Sequence, residues 1–130
     1  MITDSIPQTG HDAEGYALIG ACFDVYREMG NGYLEEVYQE SLELELHDKN
    51  IPFITKPKLP IMYKGGLLQK YYEADLIVFN RIVIELKAVK SILPEHEAQL
   101  LNYLKSIGKR VGYLVNFGAF PKLDWRRRVL

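Results

Sequence analysis

The hydrophobic period of the chain changes near Asn50, and that change limits the possible folds more than any other feature. Before it, apolar residues recur at helical spacing, at Tyr16, Ile19, Cys22 or Phe23, Tyr26 and Met29, then at Leu34, Tyr38, Leu42 and Leu46. Gly30-Asn31-Gly32 separates the two runs, because Gly and Asn accept the left-handed backbone that ends a helix. The spacing predicts helices over 12–29 and 34–48. After Asn50, Leu59, Ile61 and Tyr63 alternate, Gly65-Gly66 turns the chain, and Leu68 to Tyr72 returns as the second arm of a hairpin. Two further β runs follow, Ala74 to Val78 and Ile82 to Lys87. Helical spacing resumes at Pro94, which suits a first helical position, with Glu95 and Glu97 in the electropositive first turn, and stops at Gly108. Val111 to Phe117 reads as a last apolar strand, and Trp125 to Leu130 as a candidate short edge strand. The order α-α-β-β-β-β-α-β implies a mixed central sheet flanked by helices: one α/β domain over 12–130, behind a flexible N-terminus over 1–11.

Composition narrows the classes further. A chain of 130 residues suits one hydrophobic core, and 48% hydrophobic with 25% charged residues excludes disorder for most of it. The single Cys22 excludes a disulfide framework within the chain and a cysteine-based zinc site. Met1 to Gly10 lacks the basic-then-apolar run of a signal peptide, and no apolar stretch approaches the ~20 residues of a membrane span. The expected setting is therefore cytoplasmic, with no membrane partner. The formal charge of −1 conceals an asymmetry: residues 1–50 hold eleven Asp/Glu against two Lys/Arg, and residues 51–130 hold six against fourteen. Such a pattern fits either a basic surface for a polyanion or an acidic helix pair beside a basic sheet.

Chemistry concentrates in the two β runs. Strand alternation puts Glu85 and Lys87 on one face with Val83, and charges at the end of an apolar strand need partners or water. Asp75 lies in the neighbouring apolar run. An Asp and a Glu converging on one face suit a hard divalent cation such as Mg²⁺, with the lysine orienting or deprotonating an attacking water. The acids share a face only if Phe79-Asn80-Arg81 is a three-residue loop that pairs Val78 with Ile82. That register gathers Ala74, Leu76, Val78, Ile82, Ile84 and Leu86 on one apolar face and predicts a positive φ at Arg81. Lys56, Lys58, Lys64 and Lys70 interleave with Tyr63, Tyr71 and Tyr72, a pattern that serves a nucleic-acid groove or keeps an exposed strand from aggregating. Arg126-Arg127-Arg128 reads as a phosphate contact or a solvated tail.

Asp75, nine intervening residues and Glu85-x-Lys87 resemble the signature of the PD-(D/E)XK nuclease superfamily, with Ala74 where the superfamily name has Pro. The α-β-β-β-α-β core of that superfamily is similar to the order read above. The resemblance is closer to the GxxExxY proteins, through Gly32-Tyr33-Leu34-Glu35-Glu36-Val37-Tyr38, Ile84-Glu85-Leu86-Lys87-Ala88-Val89 and the segment His96 to Leu104. It runs from about Phe23 to the C-terminus.

The resemblance implies a restriction-endonuclease-like fold and a nuclease that hydrolyses phosphodiester bonds by metal-activated water, with Mg²⁺ or Mn²⁺ as cofactor. Asp75 and Glu85 would be metal ligands, Lys87 the water-positioning base, and Glu35 the helical acid that helps to hold metal. Gln99 and Tyr103, four apart on one helix face, look like the Q-x-x-x-Y motif of exonuclease-like branches. A Gln amide can donate to a phosphate or a metal-bound water, and a Tyr can stack on a base or bind a phosphate; Tyr103 also fits a half-buried core position. The implied partner is nucleic acid, DNA ahead of RNA, with a homo-oligomer or protein partner open. The alternative is a catalytically idle module of the same fold that binds nucleic acid or a protein.

Overall fold

The structure is a computed structural model that describes residues 12–130. The segment 1–11, expected to be flexible, lies outside the described residues. The elements are α1 (Ala13–Met29), α2 (Glu35–Asp48), β1 (Phe53–Thr55), β2 (Lys58–Tyr63), β3 (Gly66–Glu73), β4 (Leu76–Val78), β5 (Ile82–Lys87), α3 (Pro94–Ile107), β6 (Val111–Asn116) and β7 (Asp124–Val129). Asp12 caps α1 by accepting from the Gly15 N–H at 2.9 Å, and Gly108 ends α3 in the left-handed conformation.

Five strands form a mixed sheet in the order β1-β4-β5-β6-β7, in which β5 and β6 are parallel and the other pairs antiparallel. The parallel pair requires a crossover, and α3 provides it. The hairpin β2–β3 is a separate two-stranded sheet. β1 has no counterpart in the sequence reading, because three residues carry no period and only their pairing with β4 defines them. β7 is the edge strand expected near the C-terminus.

The central sheet separates two apolar layers. Leu76, Val78, Ile82, Ile84 and Leu86 face α1 and α2, where Leu18, Cys22, Val25, Tyr38, Leu42 and Leu46 are buried. Ile77, Val83 and Leu114 face α3 and the hairpin, packing with Tyr72, Leu100 and Leu104. Two residues depart from the expected stripes. Tyr16 is exposed because the buried stripe of α1 runs through Gly15, Leu18, Ile19, Cys22 and Val25, and Leu34 is exposed as the residue that precedes α2.

Val78 pairs with Ile82, so the loop has three residues, as the burial pattern requires. The positive φ angles, however, fall on Phe79 (56°) and Asn80 (59°) and not on Arg81. Those two residues form a type I′-like turn closed by the Arg81 N–H to the Val78 carbonyl at 3.2 Å. Arg81 is then held from outside the turn: its Nε donates to Glu14 at 2.7 Å and its guanidinium also bonds Asp12. Ala74 is a second correction, since it packs in the α3 layer with Ile77 and Val83. The chain bends at Asp75, which breaks the alternation one residue before β4 begins.

Candidate active site

The site forms where β5 ends. β4 and β5 pair through Leu76 and Ile84, and Asp75 lies in the bend just before β4, where its carboxylate bonds the backbone of β5 at Leu86. Because Asp75 sits in the bend, its backbone carbonyl is free of the ladder. It accepts from the Gln39 side chain at 2.9 Å and from the Lys56 N–H at 3.0 Å. Its carboxylate accepts from the Leu86 N–H at 2.7 Å through Oδ2, and Oδ1 lies 3.4 Å from Lys56 Nζ. Lys56 itself has a left-handed backbone, φ 50°.

Glu85 and Lys87 share the face of β5 that carries Val83. The Tyr72 hydroxyl donates to Glu85. Tyr72 in turn stacks on Tyr103 of α3, with ring centroids 4.1 Å apart and planes at 7°. Burial pushes the Glu85 carboxyl up to about 7, and the charge of Glu35 adds to that rise, while Lys87 and Lys56 oppose it.

Glu35 reaches the same place from the first turn of α2. The GxxExxY run explains how. Gly32 takes φ 111°, which a side chain would strain, and lets the chain enter α2. Two turns of contact then fix the helix: the Tyr38 hydroxyl donates to the Gly30 carbonyl, and its ring stacks on Phe117 at 4.7 Å. Desolvation raises the Glu35 carboxyl above its ordinary range, and Asp75 adds to the rise; Lys87, the Ala88 N–H and Lys56 oppose it. Asp75, Glu85 and Glu35 therefore form one electrostatic unit with Lys56 and Lys87. Among the described residues no three His, Cys, Asp or Glu side chains close up tightly enough to hold a metal ion. The physical cause is visible in the contacts: Asp75 is turned to Leu86 and Lys56, and Glu85 to Tyr72.

The backbone after β5 is clamped. Asn116, fully buried, accepts from the Val89 N–H at 3.0 Å and donates to the Val89 carbonyl at 2.9 Å. Its Oδ1 also takes the Gly118 N–H at 3.0 Å. A Cβ on Gly118 would lie 2.4 Å from the Val89 carbonyl oxygen, so the position admits only glycine.

Gln99 is exposed, one turn before Tyr103, and its side chain makes no hydrogen bond among the described residues. Tyr103 is half-buried on Tyr72, which joins it to Glu85 through one ring. His96 caps its own helix by accepting from the Leu93 N–H at 3.0 Å. The C-terminal arginines are neither a solvated tail nor open to phosphate as a group: Arg126 bonds Glu97 at 2.7 Å and Asp124 at 3.0 Å, and Arg128 also bonds Glu97. Sequence reasoning did not single out Tyr72, Lys56 or Asn116 for this site. The pairing of Tyr72 with Leu59 places it on the inner face of the hairpin, a signal that alternation within the hairpin could have supplied.

A mixed sheet with helices on both faces, and with two acids and a lysine at adjoining strand ends, defines a restriction-endonuclease-like domain. Residues 12–128 match the family model of the PD-(D/E)XK nuclease superfamily, and the chain belongs to that superfamily. Among solved structures, the crystal structure of SSO0001 is similar, with a TM-score of 0.56 and 25% identity over 72% of this chain and 48% of that one. This chain thus spans about half the length of that relative. No curated protein matches. No helix among the described residues is long and apolar enough to cross a membrane.

Proposed function

We propose that the protein is a nuclease of the GxxExxY kind that hydrolyses phosphodiester bonds of nucleic acid with Mg²⁺ or Mn²⁺. The observation that carries this reading is the convergence near the end of β5 of Glu85 and Lys87, of Asp75, which bonds the Leu86 N–H, and of Glu35, on which the charge of Asp75 bears and whose own charge bears on Glu85. The donors fit the ion: hard cations of this kind take a few carboxylates and keep several waters. Burial and mutual repulsion raise the carboxyls of Glu85 and Glu35, and positive charge brought among them relieves that repulsion. Asp75, Glu85 and Glu35 would hold the cation. When bound, it would supply an activated water and stabilise charge developing on the phosphate.

The chain's own groups do the rest. Lys87 Nζ, on the Glu85 face, orients the attacking water or takes its proton. Gln99, one turn from Tyr103, offers an amide to a phosphate oxygen. Tyr72 holds Glu85 through its hydroxyl, and Tyr103 braces Tyr72. The test is cleavage of end-labelled DNA and RNA by purified protein with Mg²⁺ or Mn²⁺. Wild type should cleave and Asp75→Ala should not. Cleavage retained by Asp75→Ala, or no cleavage of any substrate by wild type, overturns the reading.

A further inference from the structure

The hairpin β2–β3 turns only one face to the body of the protein. Leu59 and Tyr72 pair on that face and pack with Ile61 against α3. The outer face carries Lys58, Pro60 and Met62 on β2 and Tyr71 and Leu67 on β3, paired as Pro60 with Tyr71 and Met62 with Leu67. These side chains are open: Leu67 is 69% exposed and Tyr71 47%. At the tip Tyr63 is 62% exposed. Rings and cations are already associated, with Lys58 Nζ 5.3 Å from the centroid of Tyr71 and Lys64 Nζ 5.5 Å from that of Tyr63.

We propose that this outer face and tip bind single-stranded nucleic acid and lead it to the acidic site. The proposal rests on the nuclease reading for the nature of the polymer and adds where it lies and in which form. Three observations support it. Charge is complementary to a polyanion: residues 56–73 contain four lysines and one acid, Glu73. Among the described residues Lys56 alone of those lysines forms an ion pair, with Asp75, and that pair marks the way to the site. The hairpin also adjoins the site, because Tyr72, on its inner face, bonds Glu85. Finally, exposed rings among the lysines discriminate between polymer forms. A duplex offers phosphates and hides its base faces, so a lysine surface alone would serve it. A single strand offers bases that stack on Tyr63 and Tyr71 while Lys58 and Lys64 meet the phosphates.

The test is fluorescence anisotropy of a labelled 20-nucleotide oligo(dT), and of a 20-base-pair duplex, with the full chain in EDTA so that no cleavage occurs. The single strand should bind at least tenfold more tightly than the duplex. Tyr63→Ser/Tyr71→Ser should weaken the single strand at least tenfold and leave duplex binding within about twofold, with an unchanged melting temperature. Lys58→Ala and Lys64→Ala should each weaken binding and flatten the salt dependence by about 0.7 in log–log slope. Equal affinity for both forms, or single-strand binding unmoved by the tyrosine pair, overturns the proposal. So does a wild-type dimer that Met62→Lys converts to a monomer with single-strand affinity intact, because the face is then a self-association surface. Tight, tyrosine-dependent binding without cleavage in Mg²⁺ or Mn²⁺ would leave this surface standing and remove the nuclease reading. Cleavage without tyrosine dependence would do the reverse.

Discussion

The two faces of the β4–β5 pair are built from alternate residues of the same short strands, yet they do opposite things. The face toward α1 and α2 is apolar along its whole length, from Leu76 and Val78 to Ile82, Ile84 and Leu86. The face toward α3 begins apolar, at Ile77 and Val83, and ends in Glu85 and Lys87, with Asp75 in the bend before β4. The first face stabilises the domain by burial. The second ends beside Asp75 and Glu35, where burial and like charge raise the carboxyls of Glu85 and Glu35. One register serves both, which is why a one-residue slip would destroy fold and site together.

The sharpest way to separate the faces is to substitute on each. On the charged face, Asp75→Ala or Glu85→Ala should lower metal-dependent cleavage by at least ~10²-fold, an effect of the order of losing one preorganised electrostatic contact. The melting temperature of the metal-free protein should hold or rise, because one member of a repelling cluster is gone. On the apolar face, Ile84→Ala should cost ~2–5 kcal/mol in urea unfolding, since Ile84 is fully buried. If the charged-face variants unfold as readily as Ile84→Ala, the two faces are not functionally distinct.

Proton linkage gives the next effect. Burial disfavours the charge of Glu85 and pushes its carboxyl up from the ordinary 4.5 to about 7 in the folded protein. Between those values the folded chain holds a proton that the unfolded chain has released. The contribution is fully present below about pH 4.5 and is lost as pH rises through about 7. Thermal melts in EDTA from pH 5 to 8 should therefore show falling stability, and Glu85→Gln should flatten the profile. A wild-type profile as flat as that of the variant would contradict the desolvated carboxyl.

How much of this was legible in the sequence follows from the range of the forces involved. The β4–β5 register was legible, because burial of five apolar residues on one face decides it and all five lie within eleven positions. The left-handed residues of its turn were not. A bulge places Arg81 there by local rule, but Asp12, the cap of α1, and Glu14 in its first turn hold its side chain across the fold. Ala74 escaped alternation for a similar reason: the bend at Asp75 is set by Gln39 and Lys56, remote in sequence. Asp75, Glu85 and Lys87 were legible as charges within apolar strands. Glu35 was visible only through resemblance, since an acid in a helix already rich in Glu carries no signal of its own. The role of Tyr72 required knowing which hairpin face meets α3.

The smallest effect concerns the turn that fixes the register. Asn80 already has a left-handed backbone, so Asn80→Gly should change stability by no more than ~0.5 kcal/mol and leave cleavage unaltered. A large loss would mean that the Asn80 side chain, and not its backbone, sustains the pairing of Val78 with Ile82.

The central proposal is that Asp75 and Glu85 are ligands of one cation. Anomalous diffraction from crystals soaked in Mn²⁺ tests it most directly. The account predicts a Mn²⁺ peak bridged by the carboxylates of Asp75 and Glu85, absent from crystals of Asp75→Asn. Fully occupied Mn²⁺ elsewhere on the protein, with no peak between those two carboxylates, would contradict it.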